Sequence, residues 1–116
     1  MHFTDLRIYQ IAIQLVKEIK ELVYKIPHYW TIPESSQILE SSSSVSSNIA
    51  EGFAKRIYPK EFIRFLEMSP GSSDESQNHL ISLNKKGHIS KEPFDHYFKR
   101  YKDLSIRILN TIRVIH

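Results

Sequence analysis

The chain has no cysteine and only three glycines among its 116 residues. Without cysteine there is neither a disulfide framework nor a thiolate that serves as a nucleophile or metal ligand. With so few glycines there is no glycine-rich loop of the kind that holds a nucleotide phosphate. These absences exclude disulfide-stabilised secreted domains and the common nucleotide-binding motifs.

Long apolar runs are also missing. No stretch approaches the roughly 18 consecutive apolar residues that cross a bilayer. The first five residues contain no basic segment followed by an apolar one, so a secretory signal of the usual form is not evident. We expect a soluble protein of the cytoplasm.

Catalytic signatures are absent as well. The sequence has neither His-Glu-x-x-His nor Gly-x-Ser-x-Gly, and it lacks the arginine–histidine signature of helical-bundle ribonucleases. Its six histidines are scattered, and two of them follow a glutamate by four residues, in the pairs Glu75/His79 and Glu92/His96. Such spacing suits either a shared metal ion or an exposed ion pair, and the ion pair is favoured. We expect no enzymatic activity, no metal and no cofactor.

The chain does contain helical periodicity. Its 41% hydrophobic and 25% charged residues are typical of a globular protein, and its length suits a single domain, residues 1–116. Apolar residues recur every three or four positions from Ile8 to Ile26, which predicts a first helix capped by Thr4 and ended by Pro27.

A second apolar set on this helix lies off the main stripe and comprises Tyr9, Ile13 and Tyr24. An amphipathic helix with two apolar faces indicates a core on one side and a partner on the other. The set is therefore a candidate oligomer interface, with scattered surface residues as the alternative.

The second helical segment is rich in serine. An aromatic turn at residues 27–33 precedes it, and we expect Tyr29 and Trp30 to cover the end of the bundle. From Glu34 to about Arg56 the apolar residues keep helical spacing, although six of the seven residues from 41 to 47 are serine. A flexible serine linker is the alternative. We favour a helix whose small side chains let a neighbouring helix approach closely.

Two prolines mark the third segment. Pro59 suits the first turn of a helix, where its missing N–H costs nothing. Pro70 lies inside the same apolar pattern, where proline removes a backbone hydrogen bond and costs about 3 kcal/mol. Ser72, with Glu75 three residues later, has the form of a capping box. We therefore predict a kink or a short break at residues 69–71.

The fourth segment follows a helix stop. In Lys86-Gly87-His88 two cations and a glycine stand where a helix C-terminus favours them. Ser90 is placed to cap the next helix, whose apolar stripe runs from Phe94 to Ile115. Four helices with short connections predict an all-α, up-and-down four-helix bundle.

Positive charge is concentrated in this last helix. The net charge is +3, and residues 91–116 hold six Lys/Arg against three Asp/Glu, a surplus of three that equals the net charge. Such a face contacts nucleic-acid phosphates, although an ordinary solvated helix face has the same composition. The candidate nucleic-acid-binding residues are Lys99, Arg100, Lys102, Arg107 and Arg113, together with Lys55 and Arg56.

Residues 46–56 place polar groups among apolar ones in the second helix. If Asn48 and Glu51 are buried, each needs a hydrogen-bond partner, because an unpaired group costs about 1–3 kcal/mol. Gly52 costs up to about 1 kcal/mol in a helix interior, so close packing or a bend is the expected reason for it. A structural network of Asn48, Glu51 and Gly52 is favoured over a ligand site.

The same residues carry a family resemblance. The core Ser-Asn-Ile-Ala-Glu-Gly, residues 47–52, stands in register with flanking motifs that cover nearly the whole chain. Those motifs are Asp5-Leu6 and Tyr9 at the start, Gln37-Ile38 before the core, and Phe65-Leu66 and Gly71-Ser72 after it. The sequence resembles the four-helix-bundle proteins encoded in intervening sequences of 23S ribosomal RNA.

This resemblance implies an up-and-down four-helix bundle that assembles as a homopentameric ring, without established enzymatic activity. Relatives of the family include the accessory protein of diversity-generating retroelements, a basic pentamer that works with a reverse transcriptase and nucleic acid. The resemblance thus implies RNA or DNA, and a reverse transcriptase, as partners.

The chain departs from the family pattern at several positions. Leu39-Glu40 stands in place of an arginine pair, and the serines at 41–43 stand in place of Ala-Ala-Val. Ser46 replaces a proline, and Pro70 replaces a small or basic residue. Loss of the arginine pair argues against nucleic-acid binding through this helix, and the serines predict a looser or more polar bundle centre.

The leading hypothesis is a non-catalytic, homo-oligomeric bundle that serves as a nucleic-acid-binding or accessory factor. The alternative is a protein-interaction scaffold without nucleic-acid contact. The second apolar set on the first helix and the missing arginine pair favour that alternative.

Overall fold

Each of the four predicted helices is present in the structure, a computed structural model that describes residues 2–115. The helices are α1 (Arg7–Tyr24), α2 (Pro33–Ala54), α3 (Pro59–Lys85) and α4 (Lys91–Ile115), and no strand occurs within the described residues. Each helix packs on the next along the chain, and α4 returns to α1. The predicted all-α, up-and-down four-helix bundle is therefore confirmed. No described helix combines the length and apolarity that crossing a membrane requires.

The core is a single apolar cluster to which all four helices contribute. Its members lie at the three- and four-residue steps that the sequence predicted, because that spacing keeps side chains on one helix face. Among its fully buried side chains are Leu15, Ile19, Ile38, Val45, Leu66, Leu80, Leu104 and Ile108.

The start of α1 differs from the prediction, because Thr4 does not cap it. Phe3–Asp5 form a separate 3-10 turn, in which the backbone N–H of His2 donates to the Asp5 carboxylate at 2.9 Å. Leu6 then takes an extended conformation, and α1 begins without a side-chain cap. Within this earlier turn the Thr4 hydroxyl lies 3.0 Å from Nδ1 of the His2 ring, so it does not cap α1.

The aromatic turn before α2 covers the bundle end with one ring rather than two. Tyr29 is half-buried against the core, whereas Trp30 is 70% exposed. The Trp30 ring packs edge-on against Tyr29, with 5.3 Å between ring centroids. Because Tyr29 already occupies the position over the core, Trp30 lies outside it, and the prediction for Trp30 is wrong.

The third helix runs without a break through Pro70. The predicted break is therefore wrong, while a bend within the continuous helix stays a prediction. Lateral hydrogen bonds on both sides of Pro70 hold the helix: Ser69 Oγ donates to the Val45 carbonyl at 3.2 Å, and Ser72 Oγ donates to Ser44 Oγ at 2.9 Å. Ser72 thus bonds across to α2 instead of capping a new helix.

The helix stop after α3 has the predicted form. Gly87 has φ of +81°, which glycine adopts without strain. The N–H of His88 donates to the Leu83 carbonyl at 2.8 Å, and that of Gly87 to the Asn84 carbonyl at 3.0 Å. These two bonds make a Schellman motif, which ends α3 and turns the chain into α4.

Candidate nucleic-acid interface

The basic residues of α4 do not form one face. Positions 100 and 102 lie about 200° apart around a helix axis, and their contacts confirm the separation. Arg100 turns towards α1, where its Nη1 lies 2.7 Å from a Glu18 carboxylate oxygen. Lys102 lies on the other side, with Nζ 5.9 Å from the centroid of the Phe98 ring. The predicted α4 set is thus divided between two sides of the helix.

Arg100 joins α4 to α1 through its ion pair with Glu18. Burial alone would raise the pKa of Glu18, but the hydrogen bond and positive charge of Arg100 outweigh burial and lower that pKa. The Arg100 guanidinium also lies 5.8 Å from the centroid of the Tyr97 ring. Since this charge is already paired, Arg100 is less available to another anion than the unpaired members of the predicted set.

A shallow groove between α1 and α4 holds a residue that the sequence reasoning missed. Arg7, at the start of α1, lines this groove with Arg100, Arg107 and the acidic Asp103. The antiparallel packing of the two helices brings Arg7 beside residues a hundred positions later. Charge counts along the sequence contain no signal for that proximity.

A local surplus of positive charge lies between α2 and α3. Residues 55–64, which we call the basic turn, contain four Lys/Arg and one acidic residue, Glu61. Lys55 and Arg56 belong to the predicted set, whereas Lys60 and Arg64 were missed. A charge count in a ten-residue window would have included them, although residues 98–107 of α4 give the same surplus.

Most charges of the basic turn remain available to a ligand. Arg64 donates to the Glu61 carboxylate at 2.9 Å, and this hydrogen bond lowers the pKa of Glu61. Within residues 2–115, none of Lys55, Arg56 and Lys60 forms an ion pair with a carboxylate. The turn therefore presents three unpaired cations to solvent.

Aromatic rings hold two of these cations in place. The Arg56 guanidinium lies 4.3 Å from the centroid of the Phe53 ring, and its Nη1 donates to the Phe53 carbonyl at 3.1 Å. Lys55 Nζ lies 5.8 Å from the centroid of the Phe65 ring. Cation–π contacts of this kind restrict the side chains while leaving their charge exposed.

The tip of the basic turn is apolar and aromatic. Ile57 and Tyr58 are 76% and 62% exposed. The backbone beneath them is fixed, because the Tyr58 N–H donates to the Lys55 carbonyl at 2.9 Å and the Phe62 N–H to the Tyr58 carbonyl at 3.0 Å. A rigid support thus presents an open aromatic ring among cations.

The central stretch of α2 has a packing role. Asn48 Nδ2 donates to the Ser44 carbonyl at 2.9 Å, and Gly52 is buried against α3. A Cβ at position 52 would lie 3.2 Å from both the Phe62 carbonyl oxygen and Phe65 Cβ. Glu51 is exposed, so the structure does not bring it into this network.

The model of the 23S rRNA-intervening sequence protein family matches residues 4–110. The chain belongs to this family. Among solved structures, it is similar to a protein of unknown function from the S23 ribosomal protein family of Bacteroides thetaiotaomicron, determined at 1.70 Å resolution. The TM-score is 0.83 at 19% sequence identity, over 91% of this chain and 95% of that chain, so the likeness shows the fold alone. No curated protein matches the chain.

Three of the four serines that depart from the family pattern lie in the interior of the bundle. Ser41, Ser42 and Ser46 of α2 are buried. Ser41 Oγ lies 2.7 Å from the Oγ of Ser76 on α3, which is also buried. The prediction of a more polar bundle centre is confirmed, whereas a looser one stays a prediction, as does the relation to the retroelement accessory protein.

The predicted interface residues on α1 differ in exposure. Ile13 is 42% and Tyr24 55% exposed, so both are open to a partner. Tyr9 is half-buried and packs edge-on against Phe3, with 4.9 Å between ring centroids. It contributes to the bundle itself.

The glutamate–histidine pairs do not form the predicted ion pairs. Glu75 and His79 instead line a polar groove between α2 and α3, and His96 packs against the Tyr97 ring. Among the described residues there is no cluster of three or more metal-ligating side chains.

Proposed function

We propose that this protein is a non-catalytic, homo-oligomeric, nucleic-acid-binding factor. The observation that carries the proposal is the basic turn, where three unpaired cations and an open aromatic ring share one rigid connection. Polyanion binding is driven by release of counterions, and its strength follows the number of cations that reach phosphates. A family defined by sequences within 23S rRNA genes supports the same class of ligand.

Other predicted basic residues extend this surface to different degrees. The α2–α3 connection and the C-terminus of α4 lie at the same end of an up-and-down bundle, so Arg113 adds charge there. Lys99 and Lys102 lie in the first half of α4, closer to the opposite end of the bundle. In a ring of identical subunits each surface repeats, which strengthens the field that a polyanion meets.

A salt series tests the proposal. Binding of a structured RNA and a DNA duplex is measured by filter retention for the native protein and two charge-matched variants. In Lys55→Gln/Lys60→Gln two cations of the basic turn are lost, so we expect weaker binding and a salt slope reduced by about 1–2. In Lys85→Gln/Lys91→Gln two cations are lost from the opposite end, and binding stays close to that of the native protein.

Absence of binding by the native protein at low salt would disprove the proposal. Equal losses in the two double variants would show that only net charge matters and that the basic turn has no special part in binding. Adding Lys99→Gln/Lys102→Gln to the series measures the contribution of α4 separately.

The second candidate function is a protein-interaction scaffold. The exposed Ile13 and Tyr24 favour it, because neither side chain has a place in the core. A second copy of this chain is the partner we propose for that face, and a reverse transcriptase is the further partner that the family resemblance implies. Co-purification with a reverse transcriptase after nuclease treatment separates contact between proteins from a bridge made by nucleic acid.

A further inference from the structure

The tip of the basic turn exposes a large aromatic side chain where the fold does not need it. Tyr58 is 62% exposed, and its neighbour Ile57 is 76% exposed. The hydrogen bonds of Tyr58 that fix the turn are made by its backbone, so the ring takes no part in them. Its side chain therefore offers a flat apolar face directly to solvent.

We infer that Tyr58 stacks on a base of single-stranded nucleic acid, while Lys55, Arg56 and Lys60 contact the flanking phosphates. This inference rests on the proposed function and adds the strandedness of the ligand and the residue that contacts the base. Proteins that bind single strands without sequence preference combine such a ring with a basic surface, because every base has a face that can stack.

The arrangement of the cations supports this ligand. Arg56 lies before Tyr58 and is anchored to the Phe53 ring and carbonyl. Lys60 lies after it and shares with Tyr58 and Pro59 a niche whose exposed surface is almost entirely apolar. Cations thus lie two residues before and two residues after Tyr58, within reach of phosphates that flank a base on its ring.

Two competing ligands fit the turn less well. A duplex keeps the faces of its bases stacked on each other, so it offers no base face to the Tyr58 ring. A membrane interface is bound by a long amphipathic face with many apolar side chains, whereas the turn offers only Ile57 and Tyr58. Single-stranded nucleic acid contacts the cations through its phosphates and the ring through a base.

The test compares the native protein with Tyr58→Ala and Tyr58→Phe on three probes. These are an oligothymidine of about 12 nucleotides, an abasic strand of the same length, and a DNA duplex. We expect Tyr58→Ala to weaken binding of oligothymidine by about 5- to 150-fold. Tyr58→Phe, which keeps a ring that stacks, remains within about twofold of the native protein.

The abasic strand distinguishes stacking from damage to the turn. It keeps the phosphates but has no base, so Tyr58→Ala binds it as the native protein does. A loss on the abasic strand equal to that on oligothymidine would overturn the inference. Helix content by circular dichroism confirms that the variants remain folded.

The remaining outcomes separate this inference from the proposed function. If the native protein binds duplex and single strand but Tyr58→Ala changes neither, the proposed function stands and the inference fails. If the native protein binds none of these probes, the inference fails, and the proposed function fails with it when structured RNA is not bound either. Binding of phosphatidylserine vesicles that depends on Tyr58, in place of binding to oligothymidine, would show a membrane ligand and overturn the inference.

Discussion

The backbone of α2 approaches α3 at Gly52 so closely that a side chain there would be tightly packed. A methyl group at this position would meet the Phe62 carbonyl oxygen and Phe65 Cβ, each at 3.2 Å. Both belong to, or lie next to, the backbone of a long helix, so neither moves away easily. Glycine is therefore favoured here by packing rather than by backbone conformation.

Replacing Gly52 with alanine should destabilise the protein, whereas the same change at a second helical glycine, Gly71, should stabilise it. Gly52→Ala gains helix propensity but overpacks the α2–α3 contact, and we expect a net loss of about 1–2 kcal/mol in unfolding free energy. Gly71→Ala is the matched control, because no atom lies within 4 Å of its added Cβ. It should stabilise the protein by about 0.5–1 kcal/mol. Urea unfolding measures both, and a Gly52→Ala variant more stable than the native protein would contradict the packing argument.

Glu34 is a buried charge that joins the start of α2 to the end of α3. It is 5% exposed and lies 2.6 Å from Lys86 Nζ, and it also accepts a hydrogen bond from Ser82 Oγ. The hydrogen bonds from Lys86 and Ser82 lower the pKa of Glu34 to about 2. Since the folded state binds this proton more weakly than the unfolded chain does, the pair adds stability only where Glu34 is ionised.

Acid should therefore remove this contribution. The pKa is near its usual 4.5 in the unfolded chain and about 2 in the folded protein, so the added stability is complete above pH 4.5 and disappears as the pH falls to 2. We expect a loss of about 2 kcal/mol over this range, less than the full shift implies because Lys86 is half exposed. Urea unfolding between pH 6 and pH 2 is compared for the native protein and Glu34→Gln.

The difference in stability between these two proteins should shrink as the pH falls. Glu40→Gln is the control, since Glu40 is exposed on the same helix and forms no ion pair within residues 2–115. A difference that stays constant from pH 6 to pH 2 would show that Glu34 does not titrate as its contacts require.

The sequence contained the reason for Gly52 but not the one for Glu34. A glycine inside a helical pattern has a local cost, and that cost alone predicts close packing. The partners of Glu34 are 48 and 52 residues away, so its burial depends on how α2 and α3 align. Local patterns do not contain that alignment.

At the scale of the elements, hydroxyl groups line the contact between α2 and α3. The Oγ atoms of Ser41 and Ser76 lie 2.7 Å apart, and Ser69 Oγ donates to the Val45 carbonyl. Serine disfavours helices by a few tenths of a kcal/mol per site. Here the small side chains allow close approach, and their hydroxyls satisfy one another across the contact.

A double-mutant cycle tests this role of the serines. Ser41→Ala and Ser76→Ala each leave one hydroxyl without its cross-helix partner, so each should cost about 1 kcal/mol. The double variant should cost less than their sum by about 0.5–1.5 kcal/mol, because it leaves no unpaired hydroxyl. Ser47→Ala, an exposed control, should raise stability by a few tenths of a kcal/mol. Strict additivity of the two buried substitutions would disprove the coupling.

Helices were predicted reliably where apolar residues alone set the period, and less reliably where polar residues pack. The stripe from Ile8 to Ile26 is such an apolar pattern, and its main residues are buried as expected. Pro70 was expected to allow a break because its local cost was weighed without the lateral bonds of Ser69 and Ser72. Those bonds cross to α2 and exist only in the assembled bundle.

At the scale of the whole molecule, antiparallel packing decides which charges act together. The net charge of +3 was assigned to α4 by counting along the sequence. The bundle places the basic residues of α4 on two sides of that helix and pairs Arg100 with Glu18. Among the described residues, the basic turn is then the densest group of unpaired cations. The location of the candidate interface thus depended on topology, whereas the presence of a basic surface did not.

The open apolar residues of α1 lead to a prediction about assembly. Ile13 is 42% exposed beside Val16 and Tyr24, and a second copy of the chain is the partner that we propose for them. Ile13→Asp places an unpaired charge in that contact, where burying it is costly. We therefore expect a native protein that is oligomeric at micromolar concentration and a variant of monomeric mass, as measured by light scattering.

Leu109→Asp provides the matched control for this prediction. Leu109 is 49% exposed on α4, so the substitution adds the same charge at a similarly open apolar position away from α1. Its mass should equal that of the native protein. A monomeric native protein would remove the assembly altogether, whereas dissociation by Leu109→Asp but not by Ile13→Asp would move the contact from α1 to α4. Because the two residues differ in place and hardly in exposure, the comparison depends on position rather than on hydrophobicity.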